Sequence, residues 1–499
     1  MALARLLVIE SARIDAAEGF GLGCGGGAGG MTLPHDPAVM SAAELRSAYR
    51  RRDLSPVGVA RAVLARIERF QNAVRAFVMV DPERALENAR ESETRWQKGA
   101  PRGLLDGVPA TVKDLVLTRG WPTLRGSRVI DPDQAWDDDA PATARLREHG
   151  AILLGKTATP EFGWKAVTDS ALTGITRNPW DTRTTPGGSS GGAAVAAALG
   201  MGALHIGTDG GGSIRIPAAF TGIFGLKPSF GRVPAWPLSP FGTVSHLGPM
   251  TRTVGDAALM LTVLAEPDPR DWFALPYDGR DFRSGLDDGV RGLRIAFSPD
   301  LGHARLDPEV AAAVAEGARV FEELGAVVEE VDPGIGDTAE IFRLHWYPGA
   351  ANLLRRYTPE QRALMDPGLQ EIAREGETYP LLDHLAAVDA RGELGRRMRQ
   401  FHQDYDLLLT PSVPIVAFEA GHEVPPDSGM TRWIEWAPFS NPFNLTQQPA
   451  CSIPCGLTAA GLPIGLQLVG PMHGDALVLR AARAFESARP WPLPEAPRG

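Results

Sequence analysis

The sequence predicts an α/β protein in which a central mixed β-sheet is covered by helices on both faces. Three observations carry that expectation. Short apolar runs that read as strands alternate with longer helical segments, the order that lays helices against both sides of one sheet. With 44% hydrophobic and 22% charged residues, the composition is that of an ordinary globular protein. No long acidic, polar or Ser/Gly-rich linker divides the chain. One large domain over 31–499 is therefore expected, although length alone would allow about three.

Residues 1–30 stand apart. Gly21 to Gly30 is mostly glycine and alanine, and capped helices begin only after Met31, so a disordered extension is expected ahead of a natural start near Met31. Ser41-Ala42-Ala43-Glu44 is a capping box, and Ser55-Pro56 pairs an N-cap with proline at the first helical position. Gly107 to Asp114 alternates between flanking Gly and Pro and reads as a short strand that carries Lys113 inward. Ala151 to Gly155 is a second strand, followed by Lys156. After the glycine turn 187–192 comes an alanine-rich helix, Ala193 to Leu199, and then a buried strand, Ala203 to Thr208. Further strands are expected at 293–297, 326–331, 406–409 and 465–469, with helices at 308–324 and 476–488 among them. Residues 334–400 read as mainly helical and substrate-lining, with Trp346, Tyr347, Leu353, Leu354, Tyr357 and Met365 as bulky groups. Trp236, Phe241, Trp433, Trp436 and Phe439 fall on loop-like stretches and are candidates to wall an acyl pocket.

The composition excludes several functions. A formal net charge of −10 without a Lys/Arg run argues against nucleic acid or an anionic membrane as partner. Cys24, Cys451 and Cys455 cannot build a disulfide framework, and the C-x-x-x-C spacing fits neither zinc nor redox use. No apolar run approaches the roughly 20 residues of a membrane span, and Leu6 to Ile9 is too short for a signal peptide. A cytoplasmic protein without metal or organic cofactor is expected.

The chemistry concentrates in two glycine-walled turns, Gly187-Gly188-Ser189-Ser190-Gly191-Gly192 and Thr208-Asp209-Gly210-Gly211-Gly212-Ser213. A serine that follows three glycines sits beside bare N–H groups able to converge on one cavity, as an oxyanion hole requires. Serine needs a base. Histidine is the usual one, yet none of the ten is placed by a motif: His205 reads as a core residue, and His246 stays open on pattern alone. Gly187 to Gly191 also fits the G-x-S-x-G nucleophile elbow, but no strand precedes it and no HGGG segment lies upstream. Only five of the fifty basic residues are lysines. Unlike arginine, lysine can lose its proton when buried. Lys113 is either a functional or a structural buried lysine; Lys156 and Lys227 read as structural, Lys98 and Lys165 as surface residues.

Taken together, Gly107 to Asp114, Gly187 to Gly192 and Thr208 to Pro217 resemble the amidase signature family in order and spacing. Gly155-Lys156-Thr157, Asn178 to Asp181, Gly225 to Pro228, Gly248-Pro249-Met250 and Pro463 to Gln467 match as well. The likeness covers roughly 40–490 and is weak between about 270 and 400. It implies a three-layer α/β/α sandwich and a Ser–Ser–Lys triad. By that match Ser213 is the nucleophile, Ser189 the bridging serine on a cis peptide, and Lys113 the general base. Gly210, Gly211 and Gly212, with the Ser213 N–H, are expected to hold the oxyanion. Ser190, Asp209 and Arg215 match structural positions that brace the loop.

The expected reaction is hydrolysis of a carboxylic amide through an acyl-enzyme, on a small-molecule substrate, by a monomer or homodimer. Two alternatives share the triad: cleavage of a carbamate or urethane, and the glutaminase subunit of a tRNA-dependent amidotransferase. The second requires an obligate partner and charged groups for free glutamine, against which the apolar Trp433 to Phe443 segment argues.

Overall fold

The computed structural model of the chain describes residues 36–499. The extension expected at 1–30, with Cys24, lies outside the described residues.

Eleven strands form one mixed sheet: β1 (Phe77–Val80), β2 (Pro109–Lys113), β3 (Ile152–Thr157), β4 (Leu204–Asp209), β5 (Phe224–Lys227), β6 (His246–Thr251), β7 (Arg294–Phe297), β8 (Val327–Glu330), β9 (Leu407–Pro411), β10 (Ala450–Leu457) and β11 (Pro463–Val469). Across the sheet they run β1-β3-β2-β4-β6-β5-β10-β11-β9-β7-β8. Two parallel blocks, β3-β2-β4 and β9-β7-β8, flank antiparallel pairings in the middle. The strands expected at 203–208, 293–297, 326–331, 406–409 and 465–469 are therefore present, shifted by one or two residues. Strands β1, β5, β6 and β10 were not foreseen. β1 is a run of only four residues, and each of the other three carries Gly or Pro inside it (Gly225, Gly248-Pro249, Pro454), which reads locally as loop.

Successive side chains of a strand point to opposite faces, and here both faces are buried. Leu407 and Leu409 enter one core, beneath helices 254–264, 308–323 and 475–488; Leu408 enters the other. On that second side lie Phe220, Trp346, Tyr347, Leu353 and Leu369. A third cluster seats Ile152 and Leu154 under helices 42–51, 56–74 and 82–97. The result is an α/β/α sandwich. Both predicted helix starts are built: Ser41 and Glu44 form the reciprocal capping box, and the Ser55 hydroxyl accepts from the Gly58 N–H at 3.0 Å.

The 334–400 stretch folds into helices Ala339–Leu354, Pro359–Arg362, Pro367–Thr378 and the start of Leu381–Asp404. Lys165 is not a surface residue as the sequence suggested. It is buried, and its ammonium pairs with Asp169 at 2.5 Å and Asp366 at 3.0 Å, tying this helical region to the segment after β3. The partner 201 positions away leaves no local trace. Among the described residues no helix is long and apolar enough to cross a membrane.

Candidate active site

Parallel pairing of β2 with β4 aligns Thr111 with His205 and Val112 with Ile206, so the carboxyl ends of both strands finish side by side. Open α/β sheets commonly bind ligands at such strand ends. Lys113 closes β2 there, fully buried. Its Nζ lies 2.7 Å from Ser189 Oγ, 2.8 Å from Ser190 Oγ and 2.8 Å from Thr208 Oγ1. Burial drives its pKa well below 10.5, against the opposing pull of the Asp209 charge. Asp114, next in sequence, faces elsewhere. Its carboxylate accepts the Leu124 and Gly126 N–H groups and lies 3.9 Å from Lys156 Nζ.

The first glycine turn ends in a cis Gly188–Ser189 peptide and leads directly into α1 (Gly191–Ala198). Thr168 staples it: the Thr168 hydroxyl donates to the Gly187 carbonyl and accepts the Gly191 N–H. Ser190 joins this turn to β4, donating its hydroxyl to the Thr208 carbonyl and accepting the Thr208 N–H. Its own N–H donates to the Ser213 carbonyl at 3.1 Å, which brings the second turn alongside.

That second turn is organised by Asp209. Its carboxylate accepts the N–H groups of Gly212 and Ile214 and a fork from Arg215, at 3.0 Å from Nε and 2.9 Å from Nη2. Burial alone would raise the Asp209 pKa, but the Arg215 charge and hydrogen bonds, with Lys227 and Asn444, hold it below the ordinary carboxylate range. Arg215, the first residue of α2 (Arg215–Thr221), is completed by Gln467 at 2.7 Å and Asn444 at 2.6 Å. Asp209 and Arg215 thus link the second turn to Asn444 and Gln467.

One expected donor is corrected. The Gly212 N–H is committed to Asp209 at 2.8 Å and cannot also face an oxyanion. Gly212 instead supplies the backbone, at φ +123°, where a Cβ would stand 2.4 Å from Ser440 Oγ. The N–H groups of Gly210, Gly211 and Ser213 make no hydrogen bond to another described residue, and neither does the Ser213 hydroxyl.

Aromatic rings close over this turn. A Cβ on Gly210 would lie 2.8 Å from the Trp346 ring, and one on Gly211 would lie 2.7 Å from both Phe342 and Trp433. Phe241 stacks on Trp346 with ring centroids 3.7 Å apart. Trp346 and Phe342 come from α3 (Ala339–Leu354). Of the five aromatic wall candidates, Phe241 and Trp433 stand here. Trp436 stacks against Phe220, Phe439 is wholly buried, and Trp236 lies beneath Arg270.

Neither His205 nor His246 makes a hydrogen bond to Ser189 or Ser213. His246 Nδ1 bonds the Val244 and Asp209 carbonyls, and His205 Nδ1 bonds Thr111; burial pushes the His205 pKa down to about 3. Lys156 and Lys227 are structural as expected, the first bonding the Val116 carbonyl and the second the Gln448 carbonyl. Thr208, Asn444 and Gln467 carry contacts that the sequence reading gave no role. Thr208 lay within the quoted turn, and its place at a strand end beside Asp209 was the available signal.

Known proteins resemble this chain along most of its length. A family model described as Amidase matches residues 58–479. An acylamidase of Rhodococcus erythropolis is 38% identical over 91% of this chain and 96% of its own length. A glutamyl-tRNA(Gln) amidotransferase subunit from Gloeobacter violaceus is 36% identical, over 91% and 97%. The solved structure of a bacterial aryl acylamidase of the amidase signature family superposes with a TM-score of 0.84 at 32% identity, over 91% and 96%.

Proposed function

The chain belongs to the amidase signature family and is a hydrolase of amide C–N bonds; we propose that it works through an acyl-enzyme on Ser213, with Ser189 passing protons to the base Lys113. The observation that carries this reading is a fully buried Lys113 amine that meets three hydroxyl groups at 2.7–2.8 Å and pairs with no carboxylate.

A neutral amine offers two N–H bonds and one lone pair. One N–H goes to Ser190, whose own proton the Thr208 carbonyl holds. The other N–H and the lone pair face Thr208 and Ser189, so the Ser189 hydroxyl donates to the lone pair when Thr208 accepts. Lys113 then takes the Ser189 proton as Ser189 takes that of Ser213, and Ser213 Oγ attacks the amide carbonyl. The Ser189–Ser213 link of this relay forms by rotation of the unbonded Ser213 hydroxyl. The oxyanion is received by the N–H groups of Gly210, Gly211 and Ser213; each such donor is worth about 2.7–4 kcal/mol in comparable sites. The proton returns through Ser189 to the departing amine, and water releases the acid.

The test is labelling with a fluorophosphonate probe and mass-spectrometric mapping. Label on Ser213 that disappears in Lys113→Ala is expected; label on Ser189 would overturn the assignment. A glutaminase reading draws on the amidotransferase relative, whereas Trp346, Phe342 and Trp433 favour an apolar acyl group over free glutamine. A carbamate carbonyl suits the same attack, and p-nitroanilide against aryl carbamate turnover separates the two.

A further inference from the structure

Beside the loop that Asp114 holds, a guanidinium stands without a hydrogen-bond or ion-pair partner among the described residues. Arg125 lines a cavity of about 400 Å³ together with Thr123, Gln134, Trp136 and Tyr357, a size suited to a small-molecule group. Among the described residues its guanidinium makes no hydrogen bond and no ion pair, although the residue is half-buried. Burial presses its pKa down, and neighbouring Arg356 adds repulsion, while Tyr357 and Asp114 pull the other way. Arginines removed from water normally find a carboxylate or carbonyl.

The backbone holds this side chain in place. Arg125 has φ +57°. Arg52 and Arg75 share that sign as helix C-caps, where a left-handed residue is common, but Arg125 caps no helix. Its N–H donates to the Asp114 carbonyl at 3.0 Å, and its own carbonyl accepts from Phe162 at 2.7 Å. The Asp114 carboxylate meanwhile accepts from Leu124 and Gly126 on either side. The residue that follows the proposed base therefore clamps the loop that aims Arg125.

A short path joins the cavity to the reacting centre. Phe162, which donates its N–H to the Arg125 carbonyl and packs its ring on the cavity's Tyr357 with centroids 5.8 Å apart, precedes Gly163, where a Cβ would stand 3.3 Å from Ser189 Oγ. Asp131, Asp137 and Asp138 line the same cavity, but they stand toward solvent; water and salt screen them more than the half-buried guanidinium.

We propose that Arg125 is a binding site for the carboxylate of an acidic amide substrate, gripping one end of the molecule while its amide carbonyl meets Ser213. The planar guanidinium suits a carboxylate bidentately. The proposal rests on the Ser213 reading, and a two-part experiment separates them.

Straight-chain dicarboxylic acid mono-anilides and neutral alkanoic anilides of equal length are titrated calorimetrically into Ser213→Ala, which binds without turnover. At the best chain length the acidic anilide is expected to bind about 30-fold more tightly, the worth of one charge-assisted contact. Arg125→Met in that background should erase the preference, and Arg125→Lys should restore part of it. Should R125M not fold, R125Q serves the same comparison. Equal affinities in Ser213→Ala, or a preference that survives loss of Arg125, would overturn the proposal. Turnover by the wild-type enzyme is read separately. Tight binding of the acidic anilide with no hydrolysis of either compound sinks the Ser213 reading alone.

Discussion

At the scale of single residues, burial disfavours the charge on the Lys113 amine, the base of the proposed reaction. The unfolded chain binds a proton at Lys113 at every pH below about 10.5, whereas the folded chain does so only below its much lower folded pKa. Between those values unfolding takes up a proton, so this lysine lowers stability at neutral pH, and the penalty fades as pH rises. Lys113→Met is expected to abolish turnover and to gain in melting temperature relative to wild type at pH 6–7, a gap that narrows toward pH 9; thermal melts over a pH series measure it. For the same reason kcat/KM should fall on the acid side as Lys113 protonates, with an inflection well below 10.5. Arg215 shows the opposite economy. Removing it strands the Asp209 carboxylate in a wholly buried place, with Asn444 and Gln467 left short of partners. Arg215→Met should cost about 3–5 kcal/mol in urea denaturation, the scale for breaking a buried pair.

At the scale of elements, the turn between β4 and α2 performs two tasks with adjacent glycines. Gly212 turns its N–H back to Asp209, while the N–H groups of Gly210 and Gly211 bond no other described residue and their Cα atoms press against the rings of Trp346, Phe342 and Trp433. A side chain on Gly211 would meet two rings at 2.7 Å and would shift an unbonded N–H. Gly211→Ala is therefore expected to lower kcat by about 100-fold, the loss typical of one displaced oxyanion donor, with circular dichroism showing the fold retained. A kcat within a few-fold of wild type would remove Gly211 from the oxyanion assignment. The glycine pattern was legible in the sequence because no other residue serves such turns. Which N–H pointed where was not, since the direction depends on an Asp209 carboxylate fixed by Arg215, Asn444 and Gln467 from three separate elements.

At the scale of the whole molecule, the helical region 339–404 is tied to the sheet body by polar contacts that include Lys165–Asp366, the Asp366 N–H to Glu161, and Arg391 to Thr243 and the Leu445 carbonyl. The Lys165 ammonium is buried between Asp169 and Asp366, and burial, which would lower its pKa, is outweighed by those two carboxylates. Lys165→Met leaves both carboxylates facing each other. Limited proteolysis should then cut within 355–380 faster than in wild type, before any global loss of structure; an unchanged digestion pattern would show that the remaining contacts hold the region without Lys165.

The sequence by itself determined the fold class, the two glycine turns, the inward-facing Lys113 and the family, because each is written in local spacing: alternating strand and helix periods, serines walled by glycine, lysine at the end of a short apolar strand. Only the tertiary structure decided what those groups face. The β2–β4 register set Lys113 beside Thr208 and Ser189. Asp209 claimed the Gly212 N–H, and Asp366 drew Lys165 inside from 201 positions away. Hydrogen bonds and desolvation act through space over a few ångströms, and a central sheet of eleven strands brings together residues that no local pattern relates.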